Sequence, residues 1–249
     1  MRTAQTKVQT EFNKACTSYE LVAYVQKQAA EFLIEKLLRH PINPPKTILD
    51  LGTGTGYIPE LLLNIFPNST YLLNDISDKM LEVCKAKFMS YKNFTFLHDD
   101  MSTLQVNHCD LVISNFSLQW VNDLWSTIKK FHANSNIFAF STLLNGTFNE
   151  WQNIINLYDN IHLNQYPTTE ELIHYCNNIK GDKKLHFWTQ DIPITFDNPL
   201  SFIQYLKNLG ASTARNKMSV RSLKSLIREN HSHLTVSYKI FFCIFEKVE

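Results

Sequence analysis

The pentad Gly52-Thr53-Gly54-Thr55-Gly56 holds three of the chain's six glycines and follows directly on Ile48-Leu49-Asp50-Leu51, a short apolar run carrying one acid. So much glycine in one turn means that the backbone there takes left-handed angles or is approached closely by a ligand. An apolar strand that enters a helix through such a turn is the opening unit of an α/β sheet. The spacing narrows the ligand. A dinucleotide fingerprint needs a third glycine three residues after the second, and those positions hold Tyr57 or Pro59. No Gly-Lys-Ser or Gly-Lys-Thr follows, so the Walker phosphate loop is also excluded. Pro59 falls in the first helical turn, where its missing N–H costs little.

Downstream, strand and helix patterns alternate. Apolar and alanine positions recur at helical spacing from about Val8 to Leu38, until Pro41, Pro44 and Pro45 stop them. Strands are expected at 47–51, 70–74, 94–97, 110–114, 137–143, 185–196 and 234–245, and helices at about 77–90, 118–131, 149–159, 169–177, 200–209 and 219–229. This alternation argues a doubly wound, mostly parallel α/β sheet whose last two strands form a hairpin-like pair.

A chain of 249 residues with 44% apolar content builds one sizeable α/β domain with an appended lid. We divide it into a helical cap (1–45), a core (46–143), further strands with a helical lid (144–233) and a last strand (234–249). A net charge of +1 does not favour nucleic acid or an anionic membrane. Five widely spaced cysteines without a Cys-x-x-Cys pair fit reduced thiols, and no structural zinc site is expected. His231-Ser232-His233 lacks companions that would complete a ligand set and reads as a loop. The N-terminus has no apolar signal core, and Ile240–Phe245 is too short to span a bilayer, so a soluble, cytoplasmic protein is expected.

An apolar strand, an acid and Gly-x-Gly-x-Gly together resemble motif I of the class I S-adenosylmethionine methyltransferases. The resemblance implies a Rossmann-like seven-stranded sheet with N-terminal helices and a helical lid. It also implies that Gly52, Gly54 and Gly56 pass beneath the methionine and ribose of the cofactor, with Asp50 near its amino group. Asp75, nineteen residues after Gly56, stands where an α/β nucleotide site puts an acid for the ribose hydroxyls, while Ser77 is the natural N-cap of the next helix. Asp100 and Met101, in His98-Asp99-Asp100-Met101, match the superfamily's adenine positions. Ligands in such folds sit outside the carboxyl ends of the strands, where these segments converge.

Neither the Asn-Pro-Pro-Tyr of amino methyltransferases acting on bases nor a Pro-Cys nucleophile occurs. Instead the whole chain resembles the malonyl-acyl-carrier-protein O-methyltransferases of biotin synthesis. The resemblance rests on Phe12, Ala15 and Tyr19, on Gln26-Lys27-Gln28-Ala29-Ala30, and on Ser114-Asn115 with Gln119-Trp120. It continues in Phe140-Ser141-Thr142-Leu143, Gly146-Thr147-Phe148, Leu206-Lys207-Asn208-Leu209-Gly210-Ala211 and Leu234-Thr235-Val236-Ser237-Tyr238. It implies methyl transfer to the free carboxylate of a malonyl thioester. Such a carboxylate is ionised at neutral pH and needs no general base, so alignment and desolvation suffice.

By that resemblance Tyr19, Asn115, Gln119 and Trp120 act at the reacting centre, and Gln28 and Asn115 contact the cofactor. The plainer alternatives are core packing for Tyr19 and Trp120 and a surface filler for Gln28. Two departures stand out. The family's His-x-Asn-Arg before the lid is here His162-Leu163-Asn164-Gln165-Tyr166, and His132-Ala133-Asn134-Ser135-Asn136 replaces a glycine turn. Between Asp197 and Glu229 lie Lys207, Arg215, Lys217, Arg221, Lys224 and Arg228 with no acid, a docking surface for an acidic acyl carrier protein. Three other readings stay open at this point: a carboxyl methyltransferase of small acids, a non-methylating assembly factor for respiratory complex I, and RNA binding.

Overall fold

The computed structural model describes residues 4–40, 42–158, 163–212, 219–229 and 232–247. The strands are β1 (Thr47–Leu51), β2 (Thr70–Asp75), β3 (Phe94–His98), β4 (Cys109–Ser114), β5 (Ser135–Leu143), β6 (Lys184–Phe196) and β7 (Leu234–Glu246). They form a seven-stranded sheet in the order β3-β2-β1-β4-β5-β7-β6. β1 to β5 run parallel, and β7 lies antiparallel to both β5 and β6. Strand order reverses between β1 and β4, the switch point at which an open α/β sheet leaves a crevice. The register brings the carboxyl ends together there, Leu51 opposite both Asn74 and Ser114, and Asp75 opposite His98.

Both faces of the central strands are covered, which is why consecutive residues such as Ile48 and Leu49, and Leu111, Val112 and Ile113, are fully buried. The helices are α1 (Ala4–Ala15), α2 (Tyr19–Val22), α3 (Tyr24–Leu38), α4 (Tyr57–Leu63), α5 (Asp78–Phe88), α6 (Leu124–Ala133), α7 (Asn149–Ile155), α8 (Thr169–Ile179), α9 (Pro199–Asn208) and α10 (Val220–Glu229). Ser77 caps α5 through Met80 N, as its position predicts.

Two helical stretches differ from expectation. The N-terminal one breaks into α1, α2 and α3 at Ser18 and at Ala23; the Ser18 hydroxyl lies 3.2 Å from the Ala15 carbonyl and 2.9 Å from that of Asn208, fastening the first turn to α9. The stretch from Leu118 becomes a 3-10 turn, Leu118–Trp120, and then α6, because the Asp123 side chain accepts from Ser126 N and starts a new helix. Among the described residues no helix is long and apolar enough to cross a membrane.

Candidate functional site

All three glycines of the turn have positive φ, +68° at Gly52, +56° at Gly54 and +89° at Gly56, but for different physical reasons. A Cβ on Gly52 would lie 2.2 Å from Ser117 Oγ, and one on Gly56 would lie 2.7 Å from Phe88 and 2.8 Å from Cys84. At Gly54 a Cβ would meet nothing within 4 Å. Gly52 and Gly54 line the cleft at the switch point. Gly56, expected as a cofactor contact, instead starts α4 and lets it approach α5.

Asp75 is the keystone of the turn. Its Oδ2 accepts from Gly54 N and its Oδ1 from Ser77 N, both at 2.8 Å, so one carboxylate holds the glycine turn and the start of α5 while facing the cleft. Burial pushes its pKa up to about 6 against the pull of those backbone donors. Asp50 sits behind the turn, 1% exposed, and its Oδ2 has no hydrogen-bond partner. Burial, with the charge of Asp75 adding to it, pushes Asp50 up to about 7. A buried carboxylate oxygen left unsatisfied beside a cleft is a fit for a ligand ammonium group. Asp100 and Met101 also line the cleft, as expected. The Asp100 carboxylate accepts from Ser102 N and Oγ, and Lys130 Nζ donates to the Met101 and Ser102 carbonyls, so the loop is rigidly held.

The cap closes the cleft from above. Asn13 on α1 donates to Asp78 and accepts from the Ser77 hydroxyl, lashing α1 to the start of α5. Phe12 meets Trp120 edge to face at 5.6 Å. Trp120 is therefore a wall of the cleft, not the core anchor that its type permits. The cleft encloses about 610 Å³, counted out to solvent, and a second, largely apolar chamber beside it encloses about 2190 Å³ by the same measure. Tyr19, Phe12, Phe116 and Trp120 line both and form the passage between them.

Two non-glycine residues with positive φ, Phe116 (+52°) and Phe148 (+62°), line the chamber and pack against Tyr238, at 5.8 and 4.5 Å. Strain of about 1–3 kcal/mol each persists only where surrounding contacts over-determine it, and it clusters at functional sites. The Tyr238 hydroxyl lies 3.0 Å from that of Tyr205, and burial raises both pKa values, so both hydroxyls remain protonated donors. Beside them is Gln26, buried, with Oε1 lacking a partner.

Gln28, expected at the cofactor, is exposed and lines neither cavity; Gln26 takes the inward position. Residues two apart on a helix point some 200° apart. Asn115 lines the cleft, but its amide is committed: Nδ2 donates to the Gln26 carbonyl and Oδ1 accepts from Ser141 Oγ, tying α3 to β5. It positions Gln26 rather than offering a free side-chain group. Gln119 donates to the Phe116 carbonyl, and its Oε1 is buried without a partner at the chamber. Asn164 and Tyr166 line the chamber, whereas Gln165 is exposed, so the missing family arginine does not alter the chamber lining.

Lys7, Lys14 and Lys207 line the chamber, with Lys14 paired to Glu11 at its edge. Arg221, Lys224 and Arg228 on α10 are exposed. Arg215, Lys217, His162 and His231 lie outside the described residues. The basic stretch thus borders the larger cavity, through Lys207, and not the cleft at the glycine turn.

Comparison with known proteins agrees with this geometry. Residues 48–134 match the family described as "Methyltransferase domain". The chain is 32% identical to the malonyl-[acyl-carrier protein] O-methyltransferase of Bacillus anthracis, over 90% of this chain and 87% of that one. It is 28% identical to the protein of the same description from Neorickettsia risticii (strain Illinois), over 94% of both chains. Among solved structures, magnesium protoporphyrin IX methyltransferase from Synechocystis PCC 6803 with bound SAH shares the fold, with a TM-score of 0.64 at 14% identity, covering 98% of this chain and all of that one (100%).

Proposed function

This chain belongs to the malonyl-[acyl-carrier protein] O-methyltransferase family, and on that premise we propose that it methylates the free carboxylate of malonyl-acyl carrier protein in biotin synthesis, using S-adenosylmethionine. The observation that carries this reading is the joining of an acid-lined glycine cleft to an apolar chamber of about 2190 Å³ with lysines in its lining. A small acid would need only a closed pocket. A chamber this large and open favours a substrate delivered on a carrier arm.

Bound S-adenosylmethionine supplies an electrophilic sulfonium methyl group. Asp75 accepts from the ribose hydroxyls, the orphaned Asp50 carboxylate meets the amino group, and Asp100 with Met101 takes the adenine. Tyr19 and Trp120 close the passage and exclude water from the transfer. The Gln26 amide and the Tyr238 hydroxyl, which is braced by that of Tyr205, are polar groups of the chamber lining, and they orient the substrate carboxylate without protonating it. Asn115 holds Gln26 in place. No general base is needed, and catalysis consists of alignment and desolvation.

The raised carboxyls give this site a pH signature. Both Asp50, at about 7, and Asp75, at about 6, lie above their unfolded values. The protein without cofactor therefore holds protons that the unfolded chain has released, and their contribution to stability is lost as pH rises through this window. A cationic cofactor favours the ionised carboxylates, so its affinity runs the opposite way. From about pH 5.5 to about pH 8, S-adenosylmethionine affinity is expected to rise at least about tenfold, with proton release on binding, and Asp50→Asn to flatten the profile. Calorimetry in two buffers of different ionisation enthalpy measures both; a flat wild-type profile removes the Asp50 assignment.

The substrate is tested by incubating the protein with labelled S-adenosylmethionine and malonyl-acyl carrier protein, malonyl-coenzyme A or free malonate, with mass spectrometry for the methyl ester. Ester on the carrier is the expected product, and cofactor binding without any ester would overturn the reading. In the same assay Lys207→Glu should raise KM for the carrier substrate about threefold to tenfold and leave cofactor affinity unchanged. An unchanged carrier KM removes the docking surface.

A further inference from the structure

At the opposite end of the sheet from the cleft, three residues far apart in sequence converge. His40 follows α3, His186 lies on β6, and Glu246 is the last residue of β7, which pairs with the start of β5. Glu246 Oε2 lies 3.6 Å from His40 Nδ1 and 3.5 Å from His186 Nε2, and the three donor atoms all lie within 4.8 Å of one another. Contacts of that length are too long for good hydrogen bonds. His186 Nε2 is buried and has no hydrogen-bond partner, an unsatisfied ring nitrogen beside a carboxylate. Three ligands at about 2.0–2.2 Å around a tetrahedral ion would stand roughly 3.3–3.5 Å apart, close to the two nitrogen-to-oxygen distances.

We propose that His40, His186 and Glu246 bind one divalent ion of the zinc, cobalt or nickel class. Two imidazoles and one carboxylate suit such borderline ions and not magnesium or calcium, which take oxygen ligands. The side chains are 21%, 28% and 15% exposed, so the fourth position is open to a water molecule. The ligand rings are held in place: His40 packs on His186 at 4.1 Å, and His186 stacks on Trp188 at 6.3 Å with the planes 12° apart. Lys184, opposite Glu246 across the β6–β7 ladder, is a positive charge that opposes a bound cation and sets affinity below that of a site without it.

The physical consequence is a clamp. An ion here would join the end of α3 to the β6–β7 hairpin, and α3 is the helix that carries Gln26 into the chamber. The sequence alone predicts no such site, because each ligand comes from a different element and none belongs to a spaced motif.

Full-length protein stripped with chelator and titrated with zinc chloride by calorimetry should bind one equivalent saturably, with a rise in melting temperature. Cobalt in its place should develop the visible absorption bands of a four-coordinate site. His186→Gln and His40→Gln should each weaken zinc binding about a hundredfold or more, beyond the 10–100-fold typical for outer-shell changes. Both variants should keep S-adenosylmethionine binding, which verifies their fold independently of the metal. No saturable zinc binding by the wild type, or the same isotherm in both variants, would overturn the proposal.

Discussion

Asp75→Ala is expected to abolish S-adenosylmethionine binding, with an affinity loss of about 10²–10⁴-fold, while the cofactor-free protein keeps its melting temperature within a few degrees. The two halves of this result have separate causes. The affinity loss follows from removing an ionised acceptor for two hydroxyls, each charge-assisted hydrogen bond contributing about 1.5–3 kcal/mol. The modest stability change follows from cancellation. The variant leaves Gly54 N and Ser77 N without their 2.8 Å acceptor, but it also relieves the burial that pushes this carboxyl up to about 6. Asp75→Asn retains one acceptor oxygen and should fall between wild type and alanine. Calorimetric titration with parallel thermal melts separates the halves, and normal affinity in the alanine variant would falsify the ribose assignment.

Gly52→Ala and Gly54→Ala should damage the same turn in opposite ways. At Gly52 the new Cβ meets Ser117 Oγ at 2.2 Å and Ser117 Cβ at 2.4 Å, and Ser117 is itself pinned between the Gly52 and Asn115 carbonyls. The clash adds to the left-handed penalty of about 1–2 kcal/mol, giving a total of about 2–4 kcal/mol and a melting temperature lower by about 5–10 °C. Ser117→Gly in that background should recover the steric part and not the conformational part. At Gly54 only the conformational cost applies, since nothing lies within 4 Å. Its methyl group instead projects into the cleft, so cofactor affinity should fall far more than stability does. Equal destabilisation by the two substitutions would mean that the cleft does not lie over Gly54.

Local chemistry made much of this site legible in advance. The glycine turn, Asp75 and the Asp100-Met101 pair all sit within a few residues of a parallel strand's carboxyl end, so finding the strand finds the site. Gln26 was legible too and was passed over. It lies three and four residues before the buried Ala29 and Ala30 and seven before Leu33, on the inward face of α3, whereas Gln28 lies on the outward one. A residue match without that periodicity points to Gln28, on the exposed face, whereas Gln26 lines the chamber. Asn115 shows the opposite error: the position was right, but its polar atoms serve the protein's own framework.

The sequence by itself determined the seven strands, their alternation with helices and the acids around the cleft, because strand patterning, glycine spacing and strand-end chemistry act over a few neighbouring residues. Only the tertiary structure decided the rest. That the chamber joins the cleft at Tyr19 and Trp120, that Tyr205 meets Tyr238, and that His40, His186 and Glu246 converge all depend on packing between elements distant in the chain. Many side-chain choices bury an apolar face equally well, and which polar groups then meet across it is settled by how the elements fit together.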